Sequence, residues 1–237
     1  MKKIISTQAI ALVVLLLICT QGRSQVKSYQ HRDMEFIFSF MRYQSNPASV
    51  STIPRFSCFL HFGQFYDLDF SDNFGIYTGM TLRNIGFTAE NNTTDIKKKF
   101  RTYAIGIPLA MKLGSFSDQF YFYGGAEYEL FFHYKEKTFV NGNKSQYTEW
   151  FSNKVPTFMP SVFVGIQFPK GMTLKFQYML KDFLKTENLD PLVNYNTQFG
   201  IPNGPLFYVS LAFTDFDKML KKKDANTKNV LYSMRNN

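Results

Sequence analysis

The chain has 237 residues, 18% of them aromatic, and a formal net charge of +9. So many aromatic residues exclude a disordered chain, because disordered segments contain few of them, and the length fits one all-β domain. The mean hydropathy of −0.20 excludes a polytopic helical membrane protein. After the N-terminus no apolar run approaches the roughly 18–20 residues that a spanning helix needs.

Residues 1–24 have the organisation of a secretory signal peptide, with a basic start, an apolar run from Ala9 to Cys19 and small residues before a predicted cleavage after Ser24. An uncleaved membrane anchor is the alternative. An exported protein rarely meets nucleic acid, so the positive charge does not predict a nucleic-acid partner. Cleavage leaves Cys58 as the one cysteine, which excludes an internal disulfide.

Eight segments of the mature chain alternate apolar and polar residues with the period of a β-strand. Their approximate bounds are 34–43, 56–70, 74–89, 100–113, 120–138, 158–168, 172–183 and 206–216. Long and short connections alternate strictly between them. Outer-membrane barrels have this pattern, with short periplasmic turns and longer outer loops. An even number of strands then places both termini on the periplasmic side.

The two faces of these strands indicate which side meets lipid. In segment 100–113, Ile105, Ile107 and Leu109 alternate with small residues such as Gly106 and Ala110. Small residues suit the crowded interior of a narrow barrel, and the apolar face suits hydrocarbon. We therefore predict an all-β fold, an eight-stranded antiparallel up-and-down transmembrane β-barrel in a bacterial outer membrane. A soluble barrel with its apolar face inward is the alternative.

Aromatic residues recur near the ends of the apolar faces, where the membrane interfaces are expected. The predicted lipid-facing girdle comprises Phe120, Phe122, Phe132, Tyr134, Phe207 and Phe213. Trp150 lies in a long connection, and it fits either the membrane interface or contact with a partner.

Charged residues occur on the opposite, lumen-facing phase of the strands. The predicted lumen charge network comprises Glu127, Glu129, His133, Lys135, Arg83, Lys112, Lys175 and Lys181, and the same phase also turns Glu35, His61, Asp67 and Asp69 inward. Buried charges are tolerated when they pair, so a charge-plugged lumen is the favoured interpretation. A lipid hydrolase that uses His133 with a nearby serine and glutamate is the sharper alternative. Neither a metal site nor a cofactor motif is predicted.

The strand "RTYAIGIPLAMKLG", with Ile107-Pro108-Leu109 before a short turn, resembles the corresponding strand of small outer-membrane β-barrel proteins of the PorT-like type. The "SQ" at the predicted cleavage site and the final strand ending in Phe216 are similar to that family as well. The resemblance implies a barrel over residues 25–216 and accessory work in secretion. A basic tail, 217–237, departs from the family because such barrels usually end at the terminal aromatic residue; we expect this tail in the periplasm.

We therefore expect a barrel with a filled lumen and a structural or accessory role in the envelope or in secretion, without enzymatic activity. A narrow solute channel or transporter and a lipid-modifying enzyme are the alternatives. The expected partners are outer-membrane lipid and other envelope or secretion proteins, reached through the external loops or the 217–237 tail.

Overall fold

The computed structural model describes residues 26–41, 50–91, 96–185 and 204–215. The predicted signal peptide, the 217–237 tail and Phe216 lie outside these ranges. The strands are β1 (Lys27–Met41), β2 (Val50–Ile53), β3 (Arg55–Ser57), β4 (Phe62–Asp69), β5 (Phe74–Asn91), β6 (Ile96–Ser115), β7 (Phe120–Val140), β8 (Asn143–Trp150), β9 (Phe158–Gln167), β10 (Met172–Asp182) and β11 (Pro205–Asp215).

Eight of these strands form a closed ring in the order β1, β4, β5, β6, β7, β9, β10, β11. The last strand pairs back with the first, from Arg32 opposite Asp215 to Met41 opposite Leu206. Neighbours in the ring follow one another along the chain and pair antiparallel. The predicted eight-stranded antiparallel up-and-down barrel is confirmed.

The second wall segment, predicted as one strand over 56–70, is divided into β3 and β4, and the short strand β2 lies in the connection predicted before it. β4 pairs with β1 on one side and β5 on the other, whereas β3 pairs only with β1 and β2 only with β5. Polar side chains bridge the resulting gap beside β5. The Arg55 guanidinium donates to the backbone oxygen of Asn84 at 3.2 Å and to its side-chain oxygen at 2.9 Å, and the Ser39 hydroxyl donates to the Gly86 carbonyl.

The barrel has a short-turn end and a long-loop end. Connections 70–73, 116–119 and 168–171 close strand pairs at the short-turn end, where Lys27 at the start of β1 pairs with Asp72 at 2.7 Å. The β5–β6 connection at the other end is shorter than predicted. Both strands continue past the expected boundary, so only residues 92–95 separate them.

The connection after β7, which the sequence predicts to be a long loop, contains a hairpin. β8 pairs back along β7 from Val140 opposite Asn143 to His133 opposite Trp150. The turn residues Asn141 and Gly142 both have positive φ, at 48° and 79°. Asn-Gly favours the tight turn that matches strand twist, so β7 and β8 rise together as an external hairpin.

Pro108 interrupts the ladder between β5 and β6 without changing its register. Pairing runs to Thr78 opposite Leu109 and resumes at Thr81 opposite Gly106. Proline has no N–H to donate, which accounts for a local break, and the Thr78 hydroxyl donates to the Pro108 carbonyl at 2.7 Å. This strand pair contains no bulge at Pro108, because the register on both sides is the same.

The barrel interior contains two clusters of apolar and aromatic side chains with charges between and below them. The upper cluster, toward the long-loop end, includes Ile37, Ile85, Phe87, Phe100, Phe131, Met159, Met179, Phe183 and Leu184. The lower cluster comprises Phe65, Tyr77, Ala110, Tyr121, Tyr123 and Phe163. Phe183 and Leu184 follow the end of β10, so the long-loop end is filled partly by chain beyond the strands.

The outer surface of the ring is apolar. On β6 the side chains of Ile107, Leu109 and Met111 are each about 60% exposed, while Ala110 and Lys112 between and beside them are buried. Val164 on β9 and Leu174 on β10 point outward in the same way. The apolar stripe of each strand therefore faces outward.

Candidate functional site

The centre of the barrel interior is a buried ion-pair network around Arg83 of β5. Its Nη1 lies 2.6 Å from Oε1 of Glu127 and 3.7 Å from Glu129. Its Nε and Nη2 each donate to the carboxylate of Glu35 at 3.2 Å. Lys175 adds a second cation, with Nζ 2.7 Å from Oε1 of Glu35. Two cations thus hold three carboxylates contributed by β1 and β7.

Neutral groups complete the hydrogen bonding of Glu127. The Thr81 hydroxyl donates to its Oε1 at 2.5 Å, and the Gln177 amide donates to its Oε2 at 3.0 Å. Gly106 on the neighbouring strand leaves the space, because a Cβ there would lie 2.2 Å from Oε1 of Glu127. The alternation of small and charged interior residues therefore has a packing cause.

A second network lies nearer the short-turn end and is centred on Lys112, which is fully buried. Its Nζ is 2.6 Å from Asp67 and 2.7 Å from Asp69, and it also donates to the Tyr29 hydroxyl at 2.9 Å. His31 approaches the same Asp67 at 2.5 Å. Buried ions in such surroundings are stable only when partners surround them.

The structure brings five of the predicted lumen residues into these networks: Glu127, Glu129, Arg83, Lys112 and Lys175. The predictions for His133, Lys135 and Lys181 are wrong. Lys181 is exposed at the end of β10, where it reaches the Phe158 carbonyl at 3.5 Å.

A β-bulge in β7 explains the errors at His133 and Lys135. Ala104 pairs with Phe131 and the preceding Tyr103 pairs with His133, so Phe132 is the extra residue. A bulge reverses the inward and outward phase of everything beyond it. His133 therefore packs outward against Tyr103 and Trp150, with ring centroids 5.4 and 4.8 Å apart.

The same bulge corrects the predicted girdle. Phe120, Phe122 and Phe213 are exposed on the outer wall, and Phe132 and Phe207 are half-buried there. Tyr134 was predicted to face lipid but is fully buried in the upper interior cluster, where its hydroxyl donates to Glu136 at 3.1 Å.

Sequence reasoning missed Tyr29 and His31 because it began the first strand at residue 34. β1 begins at Lys27, and its inward phase carries Tyr29, His31, Asp33 and Glu35. The alternation of this inward polar face continues toward the N-terminus in the sequence. It was missed because the outward positions of β1 before residue 34 are not apolar, whereas the outward positions that marked the other strands are.

Side chains of the described residues fill the barrel interior. A cavity of about 20 Å³ lies among Tyr77, Arg83, Tyr123 and Lys175, which is enough for about one water molecule.

No helix among the described residues is long and apolar enough to cross a membrane. The closed ring satisfies the backbone between strands, as hydrocarbon requires, and places charge inside and apolar side chains outside. Eight-stranded barrels of this construction belong to bacterial outer membranes. The chain is a bacterial outer-membrane β-barrel protein.

Comparison with known proteins assigns no particular role to the chain. No protein-family model matches the chain, and no curated protein matches it. Similar solved structures include Ail of Yersinia pestis in complex with the heparin analogue sucrose octasulfate, which is 11% identical. The match covers 81% of this chain and 99% of that chain, with a TM-score of 0.33. The N-terminal β-barrel domain of Pseudomonas aeruginosa OprF is 8% identical, and the match covers 81% of this chain and 100% of that chain with a TM-score of 0.33. OprG from Pseudomonas aeruginosa is 11% identical, and the match covers 82% of this chain and 98% of that chain with a TM-score of 0.37. These values are too low for any of the three to indicate what this outer-membrane barrel does.

His61 is not arranged to activate Ser57 as a nucleophile. Nε2 of His61 lies 2.8 Å from the Ser57 hydroxyl, but Nδ1 of the same ring accepts the Asn84 backbone N–H at 3.3 Å. A neutral ring that accepts at Nδ1 carries its proton on Nε2, so His61 donates to Ser57 and has no lone pair there to remove the serine proton. Among the described residues no group of three or more His, Cys, Asp or Glu side chains is placed to hold a metal ion.

The external hairpin is the most exposed ordered element of the described chain. Every residue of β8 except Glu149 is exposed. Trp150 stacks on Phe132 with centroids 5.9 Å apart and remains 66% exposed. Glu149 accepts a hydrogen bond from Ser152, which ties the end of β8 to the turn that follows. The hairpin thus extends the barrel wall beyond the long-loop end, where β7 pairs with β6 on one side and β8 on the other.

Proposed function

We propose that this protein is a non-conducting outer-membrane anchor that presents its external hairpin to other envelope components. The observation that carries the proposal is the filled interior: among the described residues, two ion-pair networks and two apolar clusters occupy it and surround a cavity of about 20 Å³. Wide aqueous channels need about sixteen strands, and an eight-stranded ring filled in this way offers no solute path. We therefore favour an accessory role over a channel or transporter.

The hairpin supports this proposal through its exposed aromatic side chains. Tyr147 and Phe151 are 41% and 60% exposed, and aromatic residues are enriched at protein interfaces. The backbone edge of β8 that faces away from β7 pairs with no other described strand, and it is a further site for a partner because such an edge can accept another strand.

The finer proposal is accessory work in protein secretion, as the PorT-like strand around Ile107-Pro108-Leu109 implies. The basic 217–237 tail offers a second route to partners, on the periplasmic side. The proposal includes no catalytic step, because the Ser57–His61 contact has the wrong proton arrangement and His133 lies on the outer wall.

Site-specific photocrosslinking in intact cells tests the proposal. A photoreactive residue in place of Gln146, which is exposed on β8, is expected to give a discrete adduct with one or a few envelope proteins. Ser117, exposed in a short turn at the opposite end, is the matched control position and is expected to give no adduct of the same mass.

Deletion of the gene connects the adduct to secretion. We expect exported proteins to accumulate in the periplasm of the deletion strain, with restoration by the full chain and not by a chain that lacks residues 137–147. Normal secretion in the deletion strain contradicts the secretion role. Identical adducts from Gln146 and Ser117, or none from Gln146, contradict presentation by the hairpin.

A further inference from the structure

The outer wall continues beyond the membrane as a sheet formed by the upper parts of β5, β6, β7 and β8, and one face of this extension is strongly basic. Adjacent strands place Arg101 opposite Lys135, and Lys99 opposite Lys137. The next pair places Lys97 opposite Phe139, which pairs in turn with Lys144. We call Lys99, Arg101, Lys135, Lys137 and Lys144 the basic face.

The charges of the basic face are not neutralised within the described chain. Glu90 is the one carboxylate that the described strands place on this face, and it lies 3.5 Å from Lys97. Glu136 and Lys98 point to the opposite face, where they pair with each other at 3.5 Å. The buried Nε of Arg101 has no hydrogen-bond partner in the structure.

The arrangement is electrostatically unfavourable for the isolated protein. Like charges directly opposite each other on neighbouring strands destabilise a sheet. The pKa of Lys137 is lowered by partial burial and by the neighbouring cations Lys144, Arg101, Lys135 and Lys99. In the interior of the same barrel, the buried cations of the two ion-pair networks each lie beside carboxylates. The cations of the basic face have no such carboxylates beside them among the described residues.

The position of the basic face indicates its ligand. Immediately below it, toward the barrel, lies an outward aromatic row of Tyr103, Phe132, His133 and Trp150, with neighbouring ring centroids 4.8 to 6.3 Å apart. Aromatic rows of this kind mark the depth of the membrane interface. The cations therefore lie at and just above the headgroups of the leaflet that surrounds the long-loop end.

We propose that the basic face binds the phosphate groups of glycolipid headgroups in the outer leaflet. Phosphate is the anion that the leaflet itself supplies at this depth, and lysine and arginine both bind it through charge-assisted hydrogen bonds. The face is directed away from the barrel axis at the level of the headgroups, because Lys99 and Arg101 continue the outward phase of β6 and the bulge in β7 brings Lys135 and Lys137 to the same side. Bound lipid then relieves the repulsion between Lys99 and Lys137 and fixes the barrel against its surrounding lipid.

The test uses Trp150 as a reporter, since it is the one tryptophan of the chain and lies beside the basic face. The full protein, folded in zwitterionic detergent micelles, is titrated with diphosphorylated lipid A while Trp150 emission is recorded. We expect a saturable change whose midpoint rises with salt, and a midpoint at least tenfold higher for the same lipid after removal of its phosphates.

Matched charge variants assign the binding to the basic face. The triple variant Lys99→Gln, Lys135→Gln, Lys137→Gln is expected to weaken binding on the order of 100-fold, because each lysine near an anionic surface contributes about a fivefold effect. The control Lys170→Gln, Lys181→Gln, Lys185→Gln removes equal charge elsewhere and is expected to bind within about twofold of the native protein. Heat-modifiable gel mobility checks that each variant is folded.

Three outcomes overturn the proposal: equal binding of phosphate-free lipid, equal loss in the two triple variants, or a soluble sulfated polysaccharide that binds as tightly as lipid A. The last outcome assigns the face to a soluble polyanion instead of the leaflet. The salt dependence of the native protein keeps the proposal testable even if the first triple variant does not fold.

Discussion

Arg83 and Arg101 lie on adjacent strands of the same barrel and have opposite surroundings. Arg83 points into the interior and contacts Glu35, Glu127 and Glu129. Arg101 points outward from the extension, opposite Lys135, with its Nε unpartnered. The difference separates charges that stabilise and close the barrel from charges that are left available to a ligand. Matched substitutions in the interior network and on the outward-facing strands test this separation.

The largest expected effect follows loss of Arg83. Arg83→Met leaves three buried carboxylates with Lys175 alone, and breaking a buried pair costs about 3–5 kcal/mol. We expect the free energy of unfolding in micelles, measured by urea titration with heat-modifiable mobility as readout, to fall by that amount. Arg101→Met is the matched control and is expected to change it by no more than about 0.5 kcal/mol. Equal losses from the two variants contradict the separation.

A smaller effect tests the bulge that sets the phase of the external sheet. Tyr134 is buried and His133 faces outward, so Tyr134→Ala is expected to destabilise the protein by about 3 kcal/mol through the cavity it leaves. His133→Ala removes an exposed ring and is expected to cost about 0.5 kcal/mol or less. Urea unfolding of the two variants measures both. The reverse order means that β7 continues without a bulge, and that the basic face points into the barrel.

The smallest effect sharpens the description of the basic face. Lys137→Glu replaces a like-charge pair with Lys99 by an opposite-charge pair, and a cross-strand pair of this kind is worth about 0.2–1 kcal/mol. We expect a gain in unfolding free energy at low salt that disappears at high salt, because screening weakens exposed charges. A loss of stability at low salt shows that Lys137 already has an anionic partner in the protein.

Much of this molecule follows from sequence because the strand period is two and lipid demands a uniform outer face. The alternation of apolar and polar residues over Tyr103–Leu113 predicts both the strand and the inward direction of Lys112. The same reasoning predicts that Asp67 and Asp69 point inward from another strand. The predicted and observed strand ends differ most where the barrel leaves the membrane. Beyond that level the alternation of apolar and polar residues no longer has to match a lipid boundary.

The errors arise from features that period-two reasoning cannot represent. A single extra residue at Phe132 exchanged the faces of His133, Tyr134 and Lys135, and nothing in "ELFFHYK" marks which phenylalanine is bulged. The external hairpin was detectable from Asn141-Gly142, a strong turn signal. The partners of Arg83 could be predicted as a class, carboxylates at similar depth, but the choice among them depends on the stagger of strands around the closed ring.

The account depends most on the closed interior, and single-channel recording in planar bilayers tests it most directly. Purified protein inserted into a bilayer is expected to give no conductance above the bare membrane, because the networks of Arg83 and Lys112 and the upper apolar cluster fill the lumen. Arg83→Ala, which opens space beside the existing 20 Å³ cavity, is the comparison that shows whether these side chains close it. Stable, voltage-independent conductance steps from the native protein, unchanged in Arg83→Ala, would contradict the account.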